Sequence, residues 1–257
     1  MPTYFYLRFQ SLECGVAAGV NDVPLVWDPG GRGAQTTRPI NEWIMPAGNR
    51  LTVFVSWPEE KPYQPGKSSI RAMVFIHKQG EDLPTPGTVL AELEWPTPKR
   101  PEGYPQVISL PLNIDQPPPT PLWTTATPIG SVSPADRQTM LTTIESFRAA
   151  LLGNNAEAAF QFVEGKYRDD AVAYAKPEAR NREIALDAIK DMMELRGRSS
   201  APLTEADALF DIVANGRLVR VSRRGNENAI VIRTDEGMRI DLPVYFAQIG
   251  GKWQVAR

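Results

Sequence analysis

Gln116-Pro117-Pro118-Pro119-Thr120-Pro121-Leu122-Trp123-Thr124-Thr125-Ala126-Thr127-Pro128-Ile129-Gly130-Ser131-Val132-Ser133-Pro134 divides the chain into halves of different periodicity. Consecutive prolines favour an extended polyproline path and fit neither a helix interior nor a central strand. Before this stretch the apolar residues mostly alternate, as in strands. After it, apolar residues recur at helical spacing, and strands follow. The pattern predicts two domains, 1–115 and 134–257, joined by a proline-rich linker over 116–133. Leu122, Trp123 and Ile129 are too apolar for a solvated linker and are expected to lie against one domain.

The chain has 257 residues, enough for two ordinary cores. Its net charge of −2 and the lack of a basic domain argue against a nucleic-acid binder. Cys14 is the single cysteine, so no internal disulfide can form. Met1–Arg8 reads as no secretory leader, and no apolar run reaches membrane-span length. The expected location is cytoplasmic, or periplasmic if a signal peptide has been removed.

Eighteen of the 24 prolines precede Thr120, where they punctuate short strands. Strands are predicted at Tyr4–Phe9, Val16–Val20, Pro24–Trp27, Leu51–Trp57, Ile70–His77, Thr88–Trp95 and Gln106–Ile114, with Asn21-Asp22 as a hairpin turn. A two-sheet antiparallel sandwich follows. Val20-Asn21-Asp22-Val23-Pro24-Leu25-Val26, then Arg38-Pro39-Ile40-Asn41-Glu42-Trp43-Ile44-Met45-Pro46-Ala47-Gly48-Asn49-Arg50-Leu51-Thr52-Val53, resembles bacterial jelly-roll-like sandwich domains. The resemblance covers about forty residues and implies a fold rather than an activity.

In the second half, Ser133 and Pro134 open a helix carrying Met140, Leu141, Ile144, Phe147, Leu151 and Leu152, which Gly153-Asn154-Asn155 ends. Ala156–Gly165 is read as a second short helix and Pro177–Arg196 as a third, with Ile184, Ala185, Ala188, Ile189, Met192 and Met193 on one apolar face. Strands are predicted at Ala208–Val213, Arg217–Arg223, Ala229–Thr234, Met238–Gln248 and Lys252–Ala256. Phe147–Ala159, with its Gly-Asn-Asn-Ala-Glu-Ala-Ala run, and Val244–Ala256, with its Gly-Lys-Trp turn, are similar to the opening and closing segments of NTF2-like domains. That resemblance implies an α+β cone in which a curved antiparallel sheet wraps helices around a pocket. It also implies a homodimer, because such sheets often pair face to face.

The candidate chemistry is sparse. His77 is the single histidine, at the end of a strand, and no Gly-x-Ser-x-Gly elbow exists to pair with it. Gly30-Gly31-Arg32-Gly33 is the one glycine cluster, but a Thr/Pro-rich loop rather than a helix follows it. It therefore reads as a surface loop able to contact a partner, not a phosphate loop. Glu183, Asp187, Asp191 and Glu194 form an acidic ridge on the third helix, without the histidine or Asp-x-Asp spacing a metal site needs. Arg217, Arg220, Arg223, Arg224, Arg233 and Arg239 give a local basic excess, a candidate anionic-partner surface. Asp241 and Tyr245, four apart on one expected strand, are candidates to line the cone, with Asp241 as a base of raised pKa. Cys14 reads as a small buried residue.

No convergent catalytic set emerges, and no motif calls for a cofactor or metal. The expected class is a non-catalytic protein-binding protein. A bacterial immunity or adaptor protein that neutralises a toxin would fit this composite. The alternative is a small-molecule enzyme or ligand carrier using the cone pocket. A third reading is carbohydrate binding by the sandwich, through Trp27, Trp43, Trp57 or Trp95.

Overall fold

Among the described residues, alternation in the first half resolves into eight strands: β1 Thr3–Leu12, β2 Gly15–Val20, β3 Val23–Asp28, β4 Ala34–Pro39, β5 Arg50–Ser56, β6 Ser69–Lys78, β7 Thr88–Trp95 and β8 Gln106–Pro111. The computed structural model describes residues 3–56, 67–78, 87–95 and 106–257, so Trp57 lies outside the described residues. The strands form two antiparallel four-stranded sheets, ordered β4-β1-β6-β7 and β3-β2-β5-β8. In β1, Phe5, Leu7 and Phe9 are fully buried, while Tyr4, Tyr6 and Arg8 between them are partly exposed. Leu51, Val53 and Val55 of β5 form the matching buried row of the other sheet.

One strand was not anticipated. The stretch after Gly33, expected as a loop, forms β4 and pairs with β1 from Tyr6↔Pro39 to Ser11↔Ala34. It is an edge strand, which is where a proline can sit without costing a ladder hydrogen bond.

The asparagines between positions 20 and 53 turn inward. Asn21 and Asp22 have φ of 56° and 64°, the pair of left-handed residues that a type I′ hairpin turn requires. Asn21 Nδ2 donates to Trp43 O at 2.8 Å and to Asn49 Oδ1 at 3.0 Å, and its own Oδ1 accepts from Arg50 N at 3.0 Å. Asn49 accepts from Met45 N and donates to Met45 O, both at 2.8 Å. Asn41 accepts from Phe5 N at 2.7 Å and donates to Thr3 O at 3.0 Å. All three amides are buried. An amide that donates and accepts at once can close loop backbone that no ladder reaches.

The second half contains α1 Pro134–Leu152, α2 Ala156–Ala173 and α3 Glu178–Glu194, then β9 Ala208–Val213, β10 Leu218–Arg223, β11 Ile230–Arg233, β12 Arg239–Leu242, β13 Val244–Ile249 and β14 Lys252–Val255. The sheet order is β14-β13-β10-β9, with β11-β12 as a separate antiparallel pair. Ser133 and Asp136 close a capping box on α1. Met140, Ile144, Phe147, Ala159, Phe160, Ala185, Ile189, Val219, Val221, Val244 and Phe246 meet in one apolar core between helices and sheet.

Three elements differ from their expected form. α2 continues through Gly165 to Ala173, because its later turns bury Asp169, Ala171 and Ala173. That burial outweighs the roughly 1 kcal/mol a mid-helix glycine costs. The buried face of α3 is Asn181, Ala185, Leu186 and Ile189, while Ile184 is 50% exposed. The expected strand Met238–Gln248 is two strands that break at Pro243: β12 pairs with β11, and β13 pairs with β10 and β14. Proline has no N–H to donate at that position.

The chain divides into compact units at Thr120/Pro121, so residues 121–133 of the expected linker belong to the second unit. Trp123, wholly buried, sits in a single 3-10 turn, Leu122–Thr125, that packs on β13. Leu122 N donates to Asp169 Oδ1 at 2.8 Å, Thr127 N to Gln248 O at 3.1 Å, and Ile129 N to Gly216 O at 2.7 Å. Among the described residues, no helix is long and apolar enough to cross a membrane.

Candidate functional site

The first unit carries an open cleft of about 640 Å³ where the ends of β4, β1, β6 and β7 come level. One rung crosses the sheet: Gln35 opposite Gln10, Gln10 opposite Arg71, and Arg71 opposite Glu94. All four side chains are exposed. At about 4.8 Å per strand gap the rung is roughly 14 Å long. Leu12, 58% exposed, stands beside it, and Ser11, Ile70 and Trp95 of the next rung are buried. The Trp95 indole donates to Gln106 Oε1 at 3.2 Å, which holds the ring in place.

Arg71 lies between two glutamates, 2.6 Å from Glu92 Oε1 and 3.4 Å from Glu94 Oε1. Glu92 beside it raises the guanidinium pKa, so Arg71 stays charged. These are exposed surface pairs, the kind that hold weakly and can be exchanged.

Arg32 enters the cleft from the glycine loop. Its Asp28 neighbour folds back on the loop: Oδ1 accepts from Arg32 N at 3.3 Å and Oδ2 from Gly33 N at 2.9 Å. Converging N–H groups are what a phosphate loop would offer to an anion, and here a side-chain carboxylate takes them. Gly31 has φ +59°, and a Cβ there would lie 3.1 Å from the Cys14 backbone, so the loop depends on glycine.

The other candidates are held by their surroundings. His77 is buried, accepts from Gly87 N at 3.1 Å through Nε2, and meets the Phe75 and Tyr6 rings edge-on. Lys78 ends the strand, and Gln79 and Gly80 lie outside the described residues. Cys14 is buried, its thiol pushed up to about 11 chiefly by burial, which leaves little thiolate near neutrality. Among the described residues, no three His, Cys, Asp or Glu side chains gather as metal ligands.

The arginine set of the second unit does not form one surface. Arg217 Nη1 donates to Ala126 O at 2.7 Å, Arg223 Nη1 to Pro202 O at 3.1 Å, and Arg224 Nε to Ala206 O at 2.7 Å. Arg220 is buried and reaches Asp211 at 3.9 Å. Arg239 pairs with Asp241 at 2.8 Å and Glu227 at 3.0 Å, and Arg233 is exposed. Most of the set therefore closes coil carbonyls or local acids. On the acidic ridge, Glu183 pairs with Arg180 and Asp187 with Lys190.

Asp241 and Tyr245 are also separated. Asp241 is exposed on β12, and Tyr245 is buried on β13. The row facing the helices is Val244 and Phe246, with Ile240 and Leu242 packed against it. Neither candidate borders the cavity between helices and sheet, which measures about 80 Å³ and is lined by Phe147, Tyr167, Met192, Leu242 and Val244 among others. Burial and the nearby Asp170 raise the Tyr167 pKa, and Asp170 itself pairs with the buried Arg257. Asp169, which holds the Leu122 turn, is pushed up mainly by burial. Sequence reading missed this knot at the end of α2, because its partners lie 47 and 87 positions away.

Of the four tryptophans considered for sugar binding, Trp43 and Trp95 are buried and Trp57 lies outside the described residues. Trp27 is 38% exposed. No family model, curated protein or solved structure matches this chain.

Proposed function

We propose that this chain is a non-catalytic protein-binding protein whose first unit supplies the contact surface. The observation that carries the reading is the cleft of about 640 Å³ at the ends of β4, β1, β6 and β7. It combines arginine, glutamate, amide, serine and apolar side chains in one open lining. Such a mixed lining suits recognition of a peptide-like ligand. His77, the single histidine, and Cys14, the single cysteine, are both buried in the first unit's interior.

In this reading the first unit is a jelly-roll-like sandwich and the second an NTF2-like cone with a small cavity between helices and sheet. A cavity of about 80 Å³ is well below the ~300 Å³ at which small-molecule sites begin. That weighs against the enzyme or ligand-carrier alternative. An adaptor or immunity protein that occupies a toxin is the role such a surface would serve.

Affinity capture from the source cells, with the products of neighbouring genes included as purified candidates, tests the reading. Gln10→Trp fills the cleft, and Ile184→Asp alters an exposed site on the second unit. A partner identified by mass spectrometry, rebound in pure form, lost with Gln10→Trp and kept with Ile184→Asp is the expected result. Capture that survives Gln10→Trp, or the absence of any partner, overturns it.

A further inference from the structure

The proposed binding function rests on the cleft; its chemistry narrows the partner further. We propose that the cleft takes an acidic peptide segment, a carboxylate side chain flanked by an apolar one, with Arg32 as the residue that selects the charge.

Charge is the first argument. Arg32, Arg71 and Glu94 border the cleft and Glu92 stands against Arg71, so two arginines balance two glutamates and the selectivity rests on Arg32 alone. Arg71 is already shared by Glu92 and Glu94. No carboxylate among the described residues lies within ion-pair distance of the exposed Arg32 guanidinium, although Asp28 sits four positions before it. Asp28 is turned onto the loop's own N–H groups instead. The obvious internal partner is thus spent on shaping the loop, and the cation is left for an incoming acid.

Preorganisation is the second argument. The loop that carries Arg32 is fixed by the Asp28 carboxylate, by Gly31 against the Cys14 backbone and by Gly33 at φ +94°. A cation presented on a rigid turn loses little backbone entropy on binding. Guanidinium also meets carboxylate in a two-point fork, which adds geometric selectivity.

The rest of the rung defines what surrounds the acid. Gln10 and Gln35 can both donate to and accept from peptide groups, and exposed Leu12 offers apolar contact. A rung of roughly 14 Å matches about four residues of extended chain.

The test titrates three capped peptides, N-acetyl-Leu-Glu-Leu-amide and its Gln and Lys counterparts, into the isotopically labelled full chain. The signals followed are the Trp95 indole N–H, the Gln10 and Gln35 side-chain amides and the Gly33 amide. The expected result is saturable shifts at these groups, with the Glu peptide binding roughly tenfold more tightly than the Gln peptide. The Lys peptide binds least, and the preference falls as salt rises. Arg32→Gln, an exposed substitution, removes the preference, and Arg32→Lys restores part of it. Equal affinity for the Glu and Gln peptides, preference retained in Arg32→Gln, or shifts that map elsewhere overturn the inference. Cleft binding without charge preference sinks the acidic specificity alone, whereas partner capture unaffected by Gln10→Trp sinks the binding reading beneath it.

Discussion

The two units satisfy their irregular backbone in opposite ways. The first closes its loops with buried asparagine amides: Asn21, Asn41 and Asn49 reach Trp43 O, Thr3 O and Met45 O from inside. The second closes its coil with arginines that lean in from the surface: Arg148 to Ser200 O, Arg198 to Leu151 O, Arg217 to Ala126 O and Arg224 to Ala206 O. The difference follows from where each unit puts its loops. Sheet ends in the first unit bring loop backbone into the core, where a short neutral amide can be buried at low desolvation cost. In the second, coil runs over a core of helices and sheet, and a long guanidinium can span to it while part of the head stays in water. The lesson is that a run of arginines is not by itself a binding surface, and a run of asparagines is not by itself a loop.

The largest effect expected comes from the second unit's core. Phe246→Ala, at a fully buried position, should cost about 3–5 kcal/mol. Hydrogen exchange read peptide by peptide should then show lost protection in α1, α2 and β10. Equal loss in β1 and β5 would mean that the units do not differ as argued.

Next come the amide staples. Asn49→Ala removes an acceptor of Met45 N and Asn21 Nδ2 together with a donor to Met45 O. It should cost roughly 3 kcal/mol, because the groups left behind are buried. Arg217→Gln, by contrast, removes a half-exposed cap on Ala126 O and should cost about 1 kcal/mol. Urea unfolding of the two variants decides the matter: similar losses would erase the distinction between inward amides and surface caps.

Acid should act on Asp22 and Asp169 in opposite directions. The Arg50 hydrogen bond holds the Asp22 carboxyl below its ordinary 3.8, with help from Thr52 and against its partial burial. Its contribution is present above 3.8 and is lost as pH falls from there through the lower folded value. Asp169, pushed above 3.8 chiefly by burial, behaves in reverse. Its contribution is full below 3.8 and is lost as pH rises through the higher folded value. Asp22→Asn should reduce the first unit's loss in acid, and Asp169→Asn should deepen the second unit's, where Asp136, held below 3.8 by Ser133 and Trp253, already contributes a loss. Exchange protection followed between pH 3 and 6, roughly the window in which carboxyls titrate, gives the measurement. A slope left unchanged by either substitution would refute the assignment.

The smallest expected change is in Arg32→Gln. Its exposed side chain should alter stability by no more than about 0.5 kcal/mol. A larger loss in thermal unfolding would show that the loop uses the guanidinium internally, and would remove the charge available to a partner.

Sequence reading went furthest where the signal was local. Asn21-Asp22 announced the hairpin turn because adjacent left-handed residues suit Asn and Asp, and Ser133-Pro134 announced the start of α1. It failed where local patterns were ambiguous. Thr36-Thr37 looked like loop beside its prolines and proved to be an edge strand. The apolar stripe on α3 was rotated, since Ile184 and Leu186 lie on opposite flanks of Ala185 and only packing chooses between them. Pro243 was absorbed into a long strand although its missing N–H divides two sheets.

The cleft was legible only in part. Its glycine loop was singled out as a contact segment. The rung Gln35–Gln10–Arg71–Glu94 draws on four strands spread over 85 positions, and nothing periodic links them.

By itself the sequence determined the period of each segment, its turns and its caps, because these depend on neighbours three or four residues away. The tertiary structure alone decided strand order, the fate of each arginine and the orphaned charge of Arg32. Those depend on which distant carbonyl or carboxylate arrives within hydrogen-bond reach, and chain topology sets that.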